Sequence, residues 1–518
     1  MTTSNLDLER ARGMSFGVQL SRLARTIGER PAFKTTSGTT LTYAELNTRS
    51  TKVANLLAAH GVGHGDRVAI LMMNKIEYAE ILWGIWMLGA VAVPLNFRLA
   101  PPEIEYLLGD SGAKALFVDA VLDTGIEVDS APLKVVVGGS PTGDGLAYES
   151  EVETASEAPI DTVPQEHDIA AICYTSGTTG RPKGAILTHM NLLMQVMNML
   201  SVGDSSEEPD VQLTTVPMFH IAGLAGLLPT FMFGGLSVID DSGTFDPART
   251  VEIFRKFAIN SVFLVPTQWQ AVCALAPFDP PISSLKRLSW GASPSSVAIL
   301  TAMNEAFPEA GIYCAFGQSE MSPVTCLLGP KDAISKLGSI GKPLPTVETR
   351  IVDPAMHDVA PGEVGEIIYR GANMMQGYWN KPDATADAFH GGWFHSGDLV
   401  RADEDGFLYV VDRLKDMIIS GGENIYCAEV EAALQSHPDV LEAAVIGKPD
   451  DRWIEVPIAI ITRTPGSNLT EGDLLAHCQS QLARFKQPKE VHFVEALPRN
   501  ASGKITKHTL RPLYAPKK

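Results

Sequence analysis

Tyr174-Thr175-Ser176-Gly177-Thr178-Thr179-Gly180-Arg181-Pro182-Lys183-Gly184 crowds hydroxyls and glycines around one lysine. Directly before it, residues 169–173 are apolar and read as a buried strand. Glycines let backbone N–H groups approach an oxyanion closely, and hydroxyls add donors. Lysine supplies a charge that can follow a phosphate through a reaction. The pattern G-x-x-x-x-G-K-[ST] is not met, so this is not a Walker A loop. A flexible linker shares the composition, but linkers are polar on both sides and this run abuts an apolar one.

Further short motifs follow in order. Gly291-Ala292-Ser293 comes after apolar 288–290 and opens a helical stretch. Then come Phe316-Gly317-Gln318-Ser319-Glu320, Trp393-Phe394-His395-Ser396-Gly397-Asp398-Leu399 and Asp412-Arg413-Leu414-Lys415-Asp416. Ser420-Gly421-Gly422-Glu423-Asn424 and Pro498-Arg499-Asn500-Ala501-Ser502-Gly503-Lys504 close the series. Singly, these are a strand-to-helix turn, two ordinary turns, a solvated charge cluster, a hairpin turn and a solvated lysine. Their collinearity changes the reading. From the region of Tyr43 to Lys507 the chain resembles the adenylate-forming superfamily, which includes acyl-CoA synthetases, peptide-synthetase adenylation domains and beetle luciferases.

The resemblance carries roles residue by residue. It implies a phosphate loop at Thr175, Ser176, Gly177, Thr178, Thr179, Gly180 and Lys183, with Gly291, Ala292 and Ser293 lining the adenine and acyl pockets. Phe316 would lie against adenine beside Gly317, and Ser319, where Thr is usual, would meet the α-phosphate. Glu320, with Thr175, would hold Mg2+. Asp398 and Arg413 would take the ribose, and a carboxylate suits a vicinal diol because it offers two acceptor oxygens. Lys415 would be the hinge, and Ser420, Gly421 and Gly422 would border the CoA channel after the small domain rotates. Lys504 would be the catalytic lysine. The implied cofactors are ATP, Mg2+ and coenzyme A.

The chemistry asks for these parts. A carboxylate is a poor acyl donor, so it is first made an acyl-adenylate by attack on the α-phosphate of ATP. Two anions must meet, so positive charge from Lys504 and magnesium is needed. Positioning and electrostatics dominate such a reaction. CoA thiolate then attacks the adenylate carbonyl and AMP leaves.

Met218-Phe219-His220 matches the segment entering the acyl pocket, and His220 is grouped with the catalytic residues. Peptide-synthetase domains usually place an Asp here to hold an amino group, and residues 216–226 contain no acid. A hydrophobic acid is therefore expected, a medium- or long-chain fatty acid before an aryl or alicyclic one. Phe219, His220, Trp269 and Gly291 form the expected acyl pocket, although Trp269 and Trp290 read equally well as core. Transfer to a carrier protein is the alternative second step, and the absence of a long insertion before the hinge argues against it.

Composition agrees. A chain of 518 residues exceeds one hydrophobic core. Six cysteines without C-x-x-C spacing argue against a disulfide framework or zinc site and for a reducing, cytoplasmic setting. A net charge of -19 argues against nucleic acid. Residues 415–518 balance 13 basic against 13 acidic side chains, so the acidity lies upstream. The apolar run 81–95 is too short to span a bilayer, and 221–239 is interrupted by Pro229 and Gly234-Gly235, reading as helix then strand. Peripheral membrane contact and homo-oligomerisation stay open. Helical patterns at 43–60 and 76–88 alternate with strands at 67–72 and 115–118, giving α/β with largely parallel sheets. The expected domains are a large N-terminal α/β domain with a small barrel-like part, residues 1–414, and a small mobile α+β domain, 415–518. In the latter, helices are expected at 427–435 and 471–482 and strands at 440–446, 456–461 and 490–494. Residues 140–165 read as a surface connection, 498–507 as a loop, and the short tail after it as having little regular pattern.

Overall fold

The structure, a computed structural model, describes residues 5–123, 133–141, 145–175, 181–202, 209–291, 295–421, 423–479, 481–499 and 504–516. By compactness the chain forms two units, Met1–Glu348 with Tyr369–Phe394 and Thr349–Ile368 with His395–Lys518. These limits cut through a five-stranded sheet of Val347–Val352, Val364–Gly371, Trp393–Ala402, Phe389–His390 and Leu408–Arg413. They fall away from the step at 414/415, because compactness reports packing and not where dihedrals change.

The first unit holds two sheets. Six neighbouring strands of the nine-stranded sheet run parallel: Gly311–Gly317, Arg287–Gly291, Ser261–Phe263, Val211–Thr214, Leu236–Ile239 and Pro31–Thr35. The seven-stranded sheet is parallel except at its edge, where Ile169–Thr175 and Lys183–Thr188 form an antiparallel pair. Ile76–Leu88 explains the long apolar run. Every residue of this helix except Glu77 is buried. Trp83 meets Phe33 of the nine-stranded sheet at 5.7 Å, while the Trp86 indole donates to Ala170 O of the seven-stranded sheet at 2.9 Å. A helix apolar all round belongs between two sheets. No helix among the described residues is long and apolar enough to cross a membrane. Residues 221–239 are the helix Ile221–Met232 and the strand Leu236–Ile239, as expected.

The stretch 140–165 is more than a surface connection. It carries the helix Tyr148–Thr154, whose Tyr148 is buried and donates to Glu80 at 2.6 Å; Arg49 pairs with the same carboxylate at 2.6 Å. Its Gly, Pro and acidic content masked one buried face.

In the second unit, Ile454–Arg463 pairs with Val440–Asp450, Ile418–Ser420 and Val491–Val494. One face, with Ala443, Val445, Ala459 and Ile461, packs on the helices Cys427–Gln435 and Glu471–Gln479. Alternate residues Ala444, Ile446, Ile458 and Ile460 pack on Leu510 and Ala515. The tail is thus partly ordered: Lys507–Tyr514 is a helix covering that second face. Its Lys507 pairs with Glu431 at 2.8 Å, and Arg511 donates to Lys415 O at 3.2 Å and to Asp416 at 2.9 Å.

Candidate active site

In the first unit, Thr175 and Lys183 are the register partners nearest the connection between their two strands. The expected loop residues Ser176, Gly177, Thr178, Thr179 and Gly180 lie outside the described residues, as do Ala292, Ser293 and Gly422. Residues 376–379 run along the second hairpin strand, with Gln376 N–H donating to Ile186 O and Trp379 N–H to Gly184 O. That pairing sets Tyr378 beside Lys183.

Glu320 sits in a one-turn helix, Ser319–Met321, after the strand Gly311–Gly317. It is 8% exposed, and Oε1 accepts the Tyr378 hydroxyl at 3.0 Å and the Thr175 hydroxyl at 3.3 Å. The Lys183 ammonium stands 5.2 Å from the centre of the Tyr378 ring. Burial, with the Glu320 charge beside it, raises the Tyr378 phenol far above its ordinary range, so it stays a donor. Tyr378 thus joins two residues that the sequence placed in one site, and the sequence reading missed it. Its cue was a Gly-Tyr-Trp run, 377–379, outside any quoted motif. The donors here are hard oxygens, one carboxylate and one hydroxyl, which suits a magnesium ion that takes its remaining ligands from water and phosphate.

Two glycines are fixed by close approach. A Cβ on Gly291 would run into Ala315 O, and one on Gly317 into Pro323 O. Phe316 and Ser319 are half-buried next to them. His220 caps the helix Ile221–Met232, its Nδ1 accepting from Ala222 N–H at 3.1 Å. Phe219 meets Phe97 edge-on at 5.2 Å. Trp269 is fully buried, donates to Ser289 O at 3.0 Å and packs on Phe307, which makes it core in this structure. Asn74, unremarked in the sequence, ties residues 216–218 by bonds to Val216 O and from Met218 N–H.

In the second unit, Asp398 and Arg413 are cross-strand partners, with Arg413 Nε 3.2 Å from the carboxylate. Asp398 is 5% exposed, and its N–H donates to Ser396 Oγ. Glu366 holds the preceding turn, accepting Gly397 N–H at 2.9 Å and pairing with His395 at 2.7 Å. Ser420 and Glu423 pair across Gly421 and residue 422, and Gly421 takes φ 61°, the left-handed region that glycine tolerates. Lys504 is exposed on a loop closed at its base by the Arg499–Ile505 bridge and by Thr506 N–H on Pro498 O at 2.9 Å.

Residues 20–379 match the family model of the AMP-binding enzyme, and residues 429–504 match the AMP-binding enzyme C-terminal domain. The chain belongs to the AMP-binding enzyme family. As an AMP-binding enzyme it falls among the acyl-CoA synthetases of the adenylate-forming superfamily, which are acid–thiol ligases. It is 40% identical over 479 residues to a feruloyl-CoA synthase from an Amycolatopsis species, covering 92% of this chain and 94% of that one. It is 35% identical over 485 residues to a long-chain-fatty-acid–CoA ligase from Mycobacterium tuberculosis, covering 92% and 93%. The solved o-succinylbenzoate CoA synthetase from Bacillus subtilis, in complex with its acyl-adenylate, superposes with a TM-score of 0.87 at 32% identity, over 95% of this chain and 97% of that one. The large α/β N-terminal part and small C-terminal part expected from the sequence are those of this family.

Proposed function

We propose that this AMP-binding enzyme joins a hydrophobic carboxylic acid to coenzyme A through an acyl-adenylate, releasing pyrophosphate and then AMP. The observation that carries the reading is the buried Glu320 carboxylate, held by two hydroxyls beside Lys183 at the mouth of the hydroxyl- and glycine-rich loop. Glu320 and Thr175 hold the magnesium of MgATP, which supplies charge neutralisation at the phosphates. Residues 175–180 and Lys183 bind phosphate, with Ser319 on the α-phosphate. Phe316, Gly317, Gly291, Ala292 and Ser293 serve the adenine and acyl sites, and Asp398 with Arg413 the ribose. Lys504 offsets the repulsion between substrate carboxylate and α-phosphate during adenylation. Lys415 is the hinge of a C-terminal domain, 415–518, that re-orients between steps, and Ser420, Gly421 and Gly422 flank CoA. His220 orders the entry to the acyl site through its cap.

The missing acid in residues 216–226 supports an uncharged acyl group. The sequence alone leans to a fatty acid. A second reading, an aryl acid, has the relatives' support: the feruloyl-CoA synthase is more similar than the fatty-acid ligase, and the superposed enzyme takes an aromatic acid. The deciding experiment is a panel of hexanoate through palmitate, ferulate and indoleacetate, scored for CoA-dependent AMP release. AMP release with no acid of either class would overturn the proposal.

A further inference from the structure

Asp110 lies in the last turn of the helix Pro101–Ser111. An acid there opposes the helix dipole, so helix formation does not ask for it. Its side chain is 9% exposed and fully engaged. Oδ2 accepts the Tyr174 hydroxyl at 2.8 Å, and Oδ1 pairs with the Lys381 ammonium at 2.9 Å and accepts the Tyr106 hydroxyl at 3.3 Å. Its backbone oxygen accepts from the Trp379 indole at 3.1 Å and from the Asn380 amide at 3.3 Å. Arg181, at the far end of the loop, lies over the Tyr106 ring at 5.2 Å.

The neighbours of these partners matter. Tyr174 precedes Thr175 in a strand, and successive strand residues point to opposite faces. Asp110 holds Tyr174 on one face while Thr175 reaches Glu320 on the other. Trp379, Asn380 and Lys381 follow Tyr378, the second hydroxyl on Glu320. Both chain segments that deliver a hydroxyl to Glu320 are therefore anchored, one to three residues away, on a single carboxylate-bearing residue.

We infer that Asp110 is a positioning residue for MgATP binding, acting through Tyr174 on Thr175 and through residues 379–381 on Tyr378 to fix the Glu320 carboxylate. This rests on the proposed role of Glu320. Outer partners that orient a ligand set are worth about ten- to a hundred-fold in affinity or activity.

The test is calorimetric binding of MgATP to the full chain, with and without excess Mg2+, alongside ATP–pyrophosphate exchange. Asp110→Asn weakens MgATP about tenfold and raises the KM for MgATP more than it lowers kcat. In a Tyr378→Phe background its effect shrinks, because the two act on one carboxylate; independent structural damage would add in full. Tyr174→Phe, which keeps the ring and loses only the hydroxyl, weakens MgATP in the same direction and decides the matter should Asp110→Asn fail to fold. Glu320→Gln separates the two ideas. If Glu320→Gln leaves MgATP binding intact, the role of Glu320 falls. If Glu320→Gln weakens binding but Asp110→Asn and Tyr174→Phe do not, or if the Asp110 and Tyr378 effects add fully, the positioning role of Asp110 falls.

Discussion

Tyr378→Phe is the sharpest probe of the Glu320 group. It deletes the 3.0 Å hydrogen bond to Oε1 and leaves the ring under Lys183 in place. Glu320 is 8% exposed, so water replaces the lost donor poorly, and Thr175 at 3.3 Å remains its weaker partner. A hydrogen bond to a charged group contributes about 1.5–3 kcal/mol, which corresponds to roughly ten- to 150-fold if the whole loss is felt when MgATP is engaged. The assay is acid-dependent ATP–pyrophosphate exchange over a magnesium titration, followed by conversion of preformed acyl-adenylate and CoA to thioester. Exchange is expected to fall within that range, with partial recovery at high magnesium, while the thioester step changes little. Tyr378→Leu, which also removes the ring, is expected to fall further. Exchange within twofold of the parent enzyme would show that Glu320 is held by other means and refute the reasoning.

Lys504→Ala is expected to lower pyrophosphate exchange about a hundred- to a thousand-fold and to spare thioester formation from preformed acyl-adenylate; equal loss in both steps would remove its assigned role. His189 is fully buried, accepts from Phe16 N–H, and burial pushes its pKa down to about 3. The unfolded chain, with an ordinary histidine, binds the extra proton first, so stability falls as pH drops from about 6.5 toward 3, by about 2 kcal/mol at pH 5. Urea unfolding at pH 7.5 and 5.0 should show His189→Gln losing less across that interval than the parent; identical losses would refute it. All six cysteines are buried, and burial pushes the Cys173 and Cys326 thiols up to about 12 and Cys273 to about 11. A thiol reagent at pH 8 should therefore label the folded protein slowly and all six after unfolding; rapid labelling of the folded protein would contradict this burial.

The sequence was most legible where one physical requirement ruled each residue. The helix at 76–88 and the strands at 67–72 and 115–118 came through as Ile76–Leu88, Arg67–Leu71 and Ala115–Asp119, because continuous apolar runs have few places to go. Cys427–Gln435 was read to the residue. The runs at 440–446 and 456–461 carried a further message that went unread. A strand apolar on both sides of its pleat needs two covers, and the sequence reading supplied helices for only one. The second cover is the Lys507–Tyr514 helix, dismissed because Pro512 and three basic or histidine residues obscure its single buried stripe. Among the expected site residues, Thr175, Lys183 and Glu320 were picked out by the order of the motifs and the resemblance it carries, and the structure brings them together. Tyr378 and Asp110, which hold these segments by hydrogen bonds, were not picked out, since a residue that acts only through such contacts belongs to no motif of its own. Trp269 shows the converse: a large aromatic near a motif, whose indole turned out to serve the core.

The Lys507–Tyr514 helix also sets an order of events during synthesis. Lys504 leaves the ribosome before the residues that brace its loop, and Leu510 and Ala515 must arrive before the face carrying Ile458 and Ile460 is closed. N-terminal segments fold first on a growing chain, so the hairpin carrying Thr175 and Lys183 is complete while the segment carrying Lys504 is still untethered. A released chain terminated shortly after Lys504 would carry every expected catalytic side chain, leave the sheet face of Ile446, Ile458 and Ile460 uncovered, and lack the ties from Lys507 to Glu431 and from Arg511 to Asp416.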